Sequence, residues 1–525
     1  MDAVEAVSSE SGLSESLAPC TGSEPFVSFI LILAVIYVLF VSAAVRRHLW
    51  YDELFTLDIA SASTPSRVLE LIGKWDLNPP LSYFLSRWSM IFFGHGELGL
   101  RLPSILEFYA GSTFLFAFAR RRIGSIFSLV AILILWEGPL FYYAVEARPY
   151  ALMFFFFSVL LFCWDSAVAG DRPRWSIAGT FLGSLGLLSS HVFAPLTLFA
   201  FALAEVVRLR RTKRLDLALY IALLLPCFMM LSYIPLFRIY RPVLFPVPDQ
   251  ASFAQIRHFF RQATWDNEAV LYATMLALAV SWNRSDEPRD PKIHPELLTI
   301  ACVLLCAPVV LNLILMPGHR AFWPRYCITT SVTICVTYVF LFASRSRVGR
   351  LGGWVAAITL FLFGLQTAAD TVRHHSKSRD AAVVASIRPE LPLVVENGLT
   401  FFEMNHFEGP KVLNRTYYLR DRAAAIRYSN STLFEDFEPP DRLDPEFQIR
   451  AHVESYETFV AEHPQFLMLT TGDGAYWLVR KLRADGSDIE KLEDVDIPYR
   501  DSEIYLVTNR AAAHLADRNC KAGDC

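Results

Sequence analysis

Asp52 and Glu53 open one short polar stretch of an otherwise apolar chain, and Asp76 closes it. The stretch, residues 50–80, follows an apolar run of membrane length, so these acids sit where the chain leaves a bilayer. Charge there is costly unless it is solvated, paired or functional. The neighbouring Asn78-Pro79-Pro80 fixes backbone rather than burying a side chain. A further acid, Glu146, and the basic residues Lys74, Arg101, Arg148, His191, Arg320 and Arg325 belong to the same face if the topology below holds. Such a set fits a site that deprotonates a hydroxyl and steadies a departing phosphate, since the arginine fork can bind two oxygens at once. The plainer reading of any one of these residues is a charge that solvates a loop end or snorkels.

The elements that must position them are membrane helices. The chain has 525 residues, 54% hydrophobic and 19% charged, with mean hydropathy +0.34, too apolar for a soluble protein of this size. Apolar runs occur at 26–45, 100–119, 125–142, 149–164, 217–236, 269–282, 295–315, 326–343 and 352–369. The stretch 175–207, broken near His191, reads as two short helices, which brings the expected count to about eleven spans. The piece 81–93 is shorter than the roughly 20 residues a spanning helix prefers. If it does not cross, the basic clusters 120–122, 172–174, 208–214, 284–292 and 345–350 all fall on one side, the cytoplasmic one by the positive-inside rule. It therefore reads as a juxtamembrane helix at the outer face. Arg46 and Arg47 break the charge pattern, and a role in the site is the account available for them.

The expected architecture is a polytopic α-helical membrane protein with a C-terminal extracytoplasmic α/β domain. Residues 1–25, polar and Ser-rich, read as a disordered cytoplasmic N-terminus; 26–369 form the transmembrane domain, with a first outer loop at 46–100; 370–525 form the tail domain. In the tail, 393–396, 466–470 and 503–507 read as strands. Residues 380–387, 452–462 and 475–482 read as helices, with Gly472, Gly474 and Gly486 as turns. No basic stripe points to nucleic acid, and the cysteines show no disulfide framework or zinc spacing; Cys520 and Cys525 could bridge at the tail. Gly94-His95-Gly96-Glu97-Leu98-Gly99 matches the dinucleotide pattern by letter but follows a helix, so a tight turn is the better reading. The loop 238–267, with Pro242, Pro246 and Pro248, reads as a lid or an interfacial helix.

Four segments in series carry a resemblance: Tyr51 to Thr56, Asp76 to Tyr83, Phe93-Gly94 through Leu100 to Ser104, and Glu146 to Leu152. Together they resemble successive landmarks of GT-C glycosyltransferases, nearest the dolichyl-phosphate-mannose protein mannosyltransferases and the bacterial aminoarabinose transferases. Arg325-Tyr326 is similar to a later landmark. The resemblance implies a sugar donor on a polyprenyl phosphate, transfer with inversion, and a base in the first outer loop. Asp52 is then the base, with Glu53 and Asp76 shaping its surroundings as the other catalytic positions. Asn78, Arg101, Glu146, Arg148, Tyr150, His191 and Arg325 become the substrate-binding candidates. Asn78 departs from the family, where a charged residue or His is common, and an Asn relays no proton at neutral pH. His191 is better explained as an interfacial histidine bonded to backbone.

A donor anchored by its tail presents its phosphate at headgroup depth, where these loops sit. A lipid or glycan transporter or flippase is the rival class, but transporters tend to place polar groups at the bilayer midplane in repeated halves. The acceptor, whether protein, lipid or polysaccharide, is left open by the sequence. A divalent cation is possible, although hard-cation sites need several oxygen ligands. The expected location is a cell membrane of bacterial plasma type, with membrane lipids as surroundings.

Overall fold

Apolar runs up to residue 377 fold as helices, and the one sheet among the described residues begins at Leu393. The computed structural model describes residues 26–509 except 77, 172, 236–249, 265–266, 283–292, 319, 346–347, 378–383, 385, 433–434, 436–446, 472–475 and 498–499. The expected disordered N-terminus, the prolines at 242–248, the basic run 284–292, most of the helix 380–387, Gly472, Gly474, Cys520 and Cys525 lie outside the described residues.

Helices α1 (Phe26–Ala44), α2 (Tyr51–Ala60), α3 (Pro65–Trp75), α4 (Leu81–Phe93), α5 (Glu97–Ile123), α6 (Ser125–Glu137), α7 (Tyr150–Val168), α8 (Pro173–Ser190), α9 (Ala194–Thr212) and α10 (Leu217–Leu224) are followed by Phe253–Thr264, Glu268–Ser281, Pro295–Leu315, Ile328–Arg345 and Arg350–Lys377. This is a multi-pass membrane protein: six described helices are long and apolar enough to cross a bilayer, or seven if one bent pair counts as a span. Against the eleven expected, Leu217–Tyr233 and Glu268–Ser281 are apolar but shorter. Helices α8 and α9 do separate at His191 as expected. Serines and glycines dilute the apolarity of α8, and Glu205 with several arginines that of α9.

The run 125–142, expected as one span, is instead broken. Helix α6 and the 3-10 turn Pro139–Val145 meet at 78°, because Pro139 lacks a backbone donor and restricts Gly138 before it. The bend is what carries residues 146–148 to the segment between α1 and α5, where Ala147 N meets Glu53 and Arg148 meets Asp76. Similarly, α10 passes into a 3-10 stretch, Leu225–Tyr233, at Pro226.

Helix α4 is 13 residues long and two-faced. Tyr83, Ser86, Ser89 and Met90 point inward, whereas Trp88, Ile91, Phe92 and Phe93 are exposed. Arg87 ties it to the end of α2 through the Ala60 carbonyl at 2.8 Å and that of Ala62. Gly94 closes it at φ +96, and a side chain on Gly99 would meet the Gly94 carbonyl oxygen at 2.0 Å. The glycine pattern is therefore a tight turn into α5.

Helices α5 and α9 both leave the end of the bundle that carries the first loop and finish in basic runs. Those runs are anchored at the far end: Arg122 to Asp165, Arg208 to Glu205 at 2.7 Å, and Arg211 to Glu296 at 2.8 Å.

In the tail, β1 (Leu393–Val395), β2 (Thr416–Arg420), β3 (His452–Ser455), β4 (Gln465–Thr470), β5 (Asp488–Ile497) and β6 (Arg500–Thr508) form one sheet in the order β3-β2-β1-β4-β6-β5. The first four strands run parallel and the last two antiparallel. Strands β1, β4 and β6 match the expected ones; β2, β3 and β5 are additional. Residues 452–462, expected as one helix, form β3 and then the helix Tyr456–Glu462, because the Ser455 hydroxyl caps that helix by accepting from Thr458 N at 3.1 Å. The helix expected at 475–482 is described as Trp477–Ala484.

The tail docks on the segment between α1 and α5. Phe402, in the helix Gly398–Phe407, packs against Phe55 at 5.4 Å and Tyr51 at 5.7 Å between ring centroids. The Tyr51 amide donates to Glu403 Oε1 at 3.1 Å. Segment and tail thereby share one apolar core.

Candidate active site

Helix α2 places Asp52 and Glu53 on different sides of its first turn, and the two acids meet different partners. Glu53 is fully buried: Oε1 accepts from Arg101 Nε at 2.7 Å and Ala147 N at 3.0 Å, and Oε2 from Arg101 Nη2 at 2.7 Å. Its Oε2 also accepts from the Trp50 amide at 3.4 Å, capping the start of α2. Arg101 in turn donates to the carbonyls of Val45, Arg47 and His48. Glu53 and Arg101 thus lock the end of α1 to the start of α2, and neither turns a free polar atom toward the site.

Asp76 ends α3, and its oxygens are also occupied. Asn78 donates to Oδ1 from its backbone at 3.1 Å and its side chain at 2.9 Å. Tyr83 donates to Oδ2, which also lies 2.8 Å from Arg148 Nη1. Burial alone would raise this carboxyl, but Arg148, Tyr83 and Asn78 together hold it below the ordinary range. Asp76 and Tyr83 therefore fix the guanidinium of Arg148.

Asp52 is different. Its Oδ2 lies 3.1 Å from Arg325 Nη1 and 3.9 Å from Arg148 Nε, yet it accepts no hydrogen bond. The Arg325 contact is close but off the hydrogen-bonding line, so this is an ion pair with an oxygen still available. Arg325 is set from the other side of the bundle by the turn Pro324–Cys327, between the rings of Trp50, Trp323 and Tyr150.

Glu146 is wholly buried with both oxygens unpartnered. Burial pushes its carboxyl up to about 8, against a smaller opposing pull from Arg47. Tyr150 is buried beside Tyr143, at 4.9 Å, and His191, at 5.8 Å. His191 Nδ1 accepts from Phe193 N at 3.2 Å, the backbone pairing that explains it without chemistry, and burial lowers its imidazole to about 3. Lys74 remains exposed against Trp75. An apolar cavity opens beside Tyr143 and Pro324, the residue before Arg325, and is lined further in by Leu140, Phe259, Val270 and Ile328. Among the described residues no group of three His, Cys, Asp or Glu is arranged to hold a metal ion.

Sequence reasoning brought Asp52, Asp76, Asn78, Arg148, Tyr150, His191 and Arg325 to one place, and the structure unites them. Tyr83 ended the Asp76–Tyr83 segment but was given no role, because no spacing rule marks a hydroxyl on the next helix as a partner of Asp76. Arg47 was visible only as an exception to the charge pattern.

Residues 77–233 match the family model for dolichyl-phosphate-mannose-protein mannosyltransferase. The resemblance to these membrane glycosyltransferases therefore holds over that segment, which includes Asn78, Arg101, Glu146, Arg148, Tyr150 and His191. Asp52, Glu53, Asp76 and Arg325 lie outside it. No curated protein matches the chain. Among solved structures, ArnT from Cupriavidus metallidurans is similar in its apo state at TM-score 0.48 and bound to undecaprenyl phosphate at 0.46. Each match has 14% identity and covers 92% of this chain and 97% of that one.

Proposed function

We propose that this chain is an inverting glycosyltransferase that moves a sugar from a polyprenyl-phosphate carrier to an acceptor hydroxyl at the non-cytoplasmic face of its membrane. The observation that carries the reading is the available oxygen of Asp52. Glu53 and Asp76 spend both oxygens on arginines and backbone, and Glu146, raised to about 8, keeps its proton at neutral pH. Asp52 is the acid left to take a proton.

As the acceptor oxygen bonds to the anomeric carbon, its proton passes to Asp52 Oδ2. The bond from that carbon to the phosphate oxygen breaks, and its electron pair leaves with the phosphate. Arg325 and Arg148 converge there and would neutralise the charge that develops. The apolar cavity at Tyr143 and Pro324 gives the carrier's hydrocarbon chain a place beside them. The basic ends of α5 and α9, opposite Asp52, support an extracytoplasmic site by the positive-inside rule.

The test is to give the purified protein, reconstituted in liposomes, a polyprenyl-phosphate sugar and candidate hydroxyl acceptors. The expected result is free polyprenyl phosphate together with a glycoside of inverted configuration. Movement of intact lipid-sugar across the bilayer without cleavage would instead make it a transporter.

A further inference from the structure

Three carboxylates at the site are matched by three arginines: Glu53 by Arg101, Asp76 by Arg148 and Asp52 by Arg325. A fourth guanidinium remains. Arg47 Nε, Nη1 and Nη2 are all buried and donate no hydrogen bond. The Glu53 oxygen 3.9 Å from Arg47 is already held by Arg101 at 2.7 Å. Buried donors left without an acceptor are costly, so a native group in this state calls for an explanation.

Disorder of the side chain does not supply one. Arg101 Nη1 grips the Arg47 carbonyl at 2.7 Å, and the Arg47 guanidinium carbon lies 3.6 Å above the ring of Tyr142. Tyr142 is itself 47% exposed, so the stacked pair stands at an opening. Glu146, close enough to feel the Arg47 charge, has both oxygens bare. Held protonated by burial, it offers an O–H donor and little charge to offset the guanidinium. The partner that the Arg47 donors lack is an oxyanion, which the planar arginine fork suits.

We infer that Arg47 and Glu146 form a second anion subsite, beside the Arg148–Arg325 pair, that takes one phosphate or carboxylate group during the reaction. The inference rests on the function proposed above. Two sources share this chemistry. The leaving phosphate gains a negative charge when its bond to the sugar breaks, and the acceptor could carry an anionic group of its own.

Two binding measurements on the full chain in detergent separate the sources. The first titrates farnesyl phosphate, a short polyprenyl phosphate; the second titrates glucose 6-phosphate, against glucose, onto protein saturated with farnesyl phosphate. If the leaving phosphate occupies the subsite, Arg47→Gln weakens farnesyl phosphate about 10-fold or more, the loss of a charge-assisted hydrogen bond, and Arg47→Lys restores part of it. If the acceptor's anion does, Arg47→Gln leaves farnesyl phosphate unchanged and removes binding of glucose 6-phosphate. Unchanged binding of both probes overturns the subsite. So does a loss of both accompanied by a lowered melting temperature that Arg47→Lys does not restore, which marks a structural arginine. Arg325→Gln serves as the control: if it leaves farnesyl phosphate binding intact, the proposed function fails, whatever Arg47 does.

Discussion

Arg101 and Glu53 form a two-point ion pair with no solvent exposure, Nε and Nη2 each 2.7 Å from a carboxylate oxygen. The pair joins α1 to α2 and so decides where Asp52 points. Breaking a buried pair by removing one partner typically costs about 3–5 kcal/mol, because the other charge is left uncompensated. Arg101→Met should therefore sharply reduce folded protein, and adding Glu53→Gln should recover part of it. Size-exclusion yield and thermal unfolding of the two variants check this.

Arg148 is held by Asp76 at 2.8 Å, with the Tyr83 hydroxyl 3.3 Å from the same nitrogen. Tyr83→Phe removes one hydroxyl that donates to Asp76 and steadies Arg148, but no charge. It should lower turnover by about 10-fold, the scale of one buried hydrogen bond, with little change in donor KM. Steady-state kinetics with a polyprenyl-phosphate sugar separates the two parameters.

Glu146 gives a pH dependence of defined sign. Its folded carboxyl is raised from 4.5 to about 8, chiefly by burial, so on raising the pH the unfolded chain loses this proton first. The group's contribution to stability is fullest below pH 4.5 and falls as pH rises toward 8. Glu146→Gln abolishes that fall. The variant should gain in melting temperature relative to the parent between pH 5 and pH 8, measured by thermal unfolding in detergent; a constant difference would contradict the assignment.

Phe402 couples the tail to α2 through Phe55 and Tyr51, the latter next to Asp52 in sequence. Phe402→Ala removes a buried ring, a change that costs about 3–5 kcal/mol in well-packed cores. It should loosen the tail from α2, seen as faster proteolysis of the C-terminal domain, and lower transfer although no site residue is altered.

The helical plan was legible because membrane spans are written as long apolar runs, and the site because its charges interrupt those runs. Asp52, Asp76, Arg148 and Arg325 could be grouped by topology alone. Which acid is free could not, since Asp52 and Glu53 are neighbours of the same charge and differ only in what the fold brings to them, Arg325 in one case and Arg101 with Ala147 in the other. The bend was signalled by Glu137-Gly138-Pro139, but the apolar residues on both sides made 125–142 read as one span. Strands β2, β3 and β5 escaped for the opposite reason: β5, DIEKLEDVDI, is a charged edge strand whose few apolar residues make a weak pattern.

The central claim is that Asp52 removes the acceptor's proton, and Asp52→Asn tests it most directly. The measurement is the rate of sugar transfer by purified Asp52→Asn, with folding verified by thermal unfolding and donor binding by titration. The account predicts a normally folded protein that still binds polyprenyl phosphate but transfers roughly 10²–10⁴-fold more slowly. Transfer within a few-fold of the parent rate would contradict it.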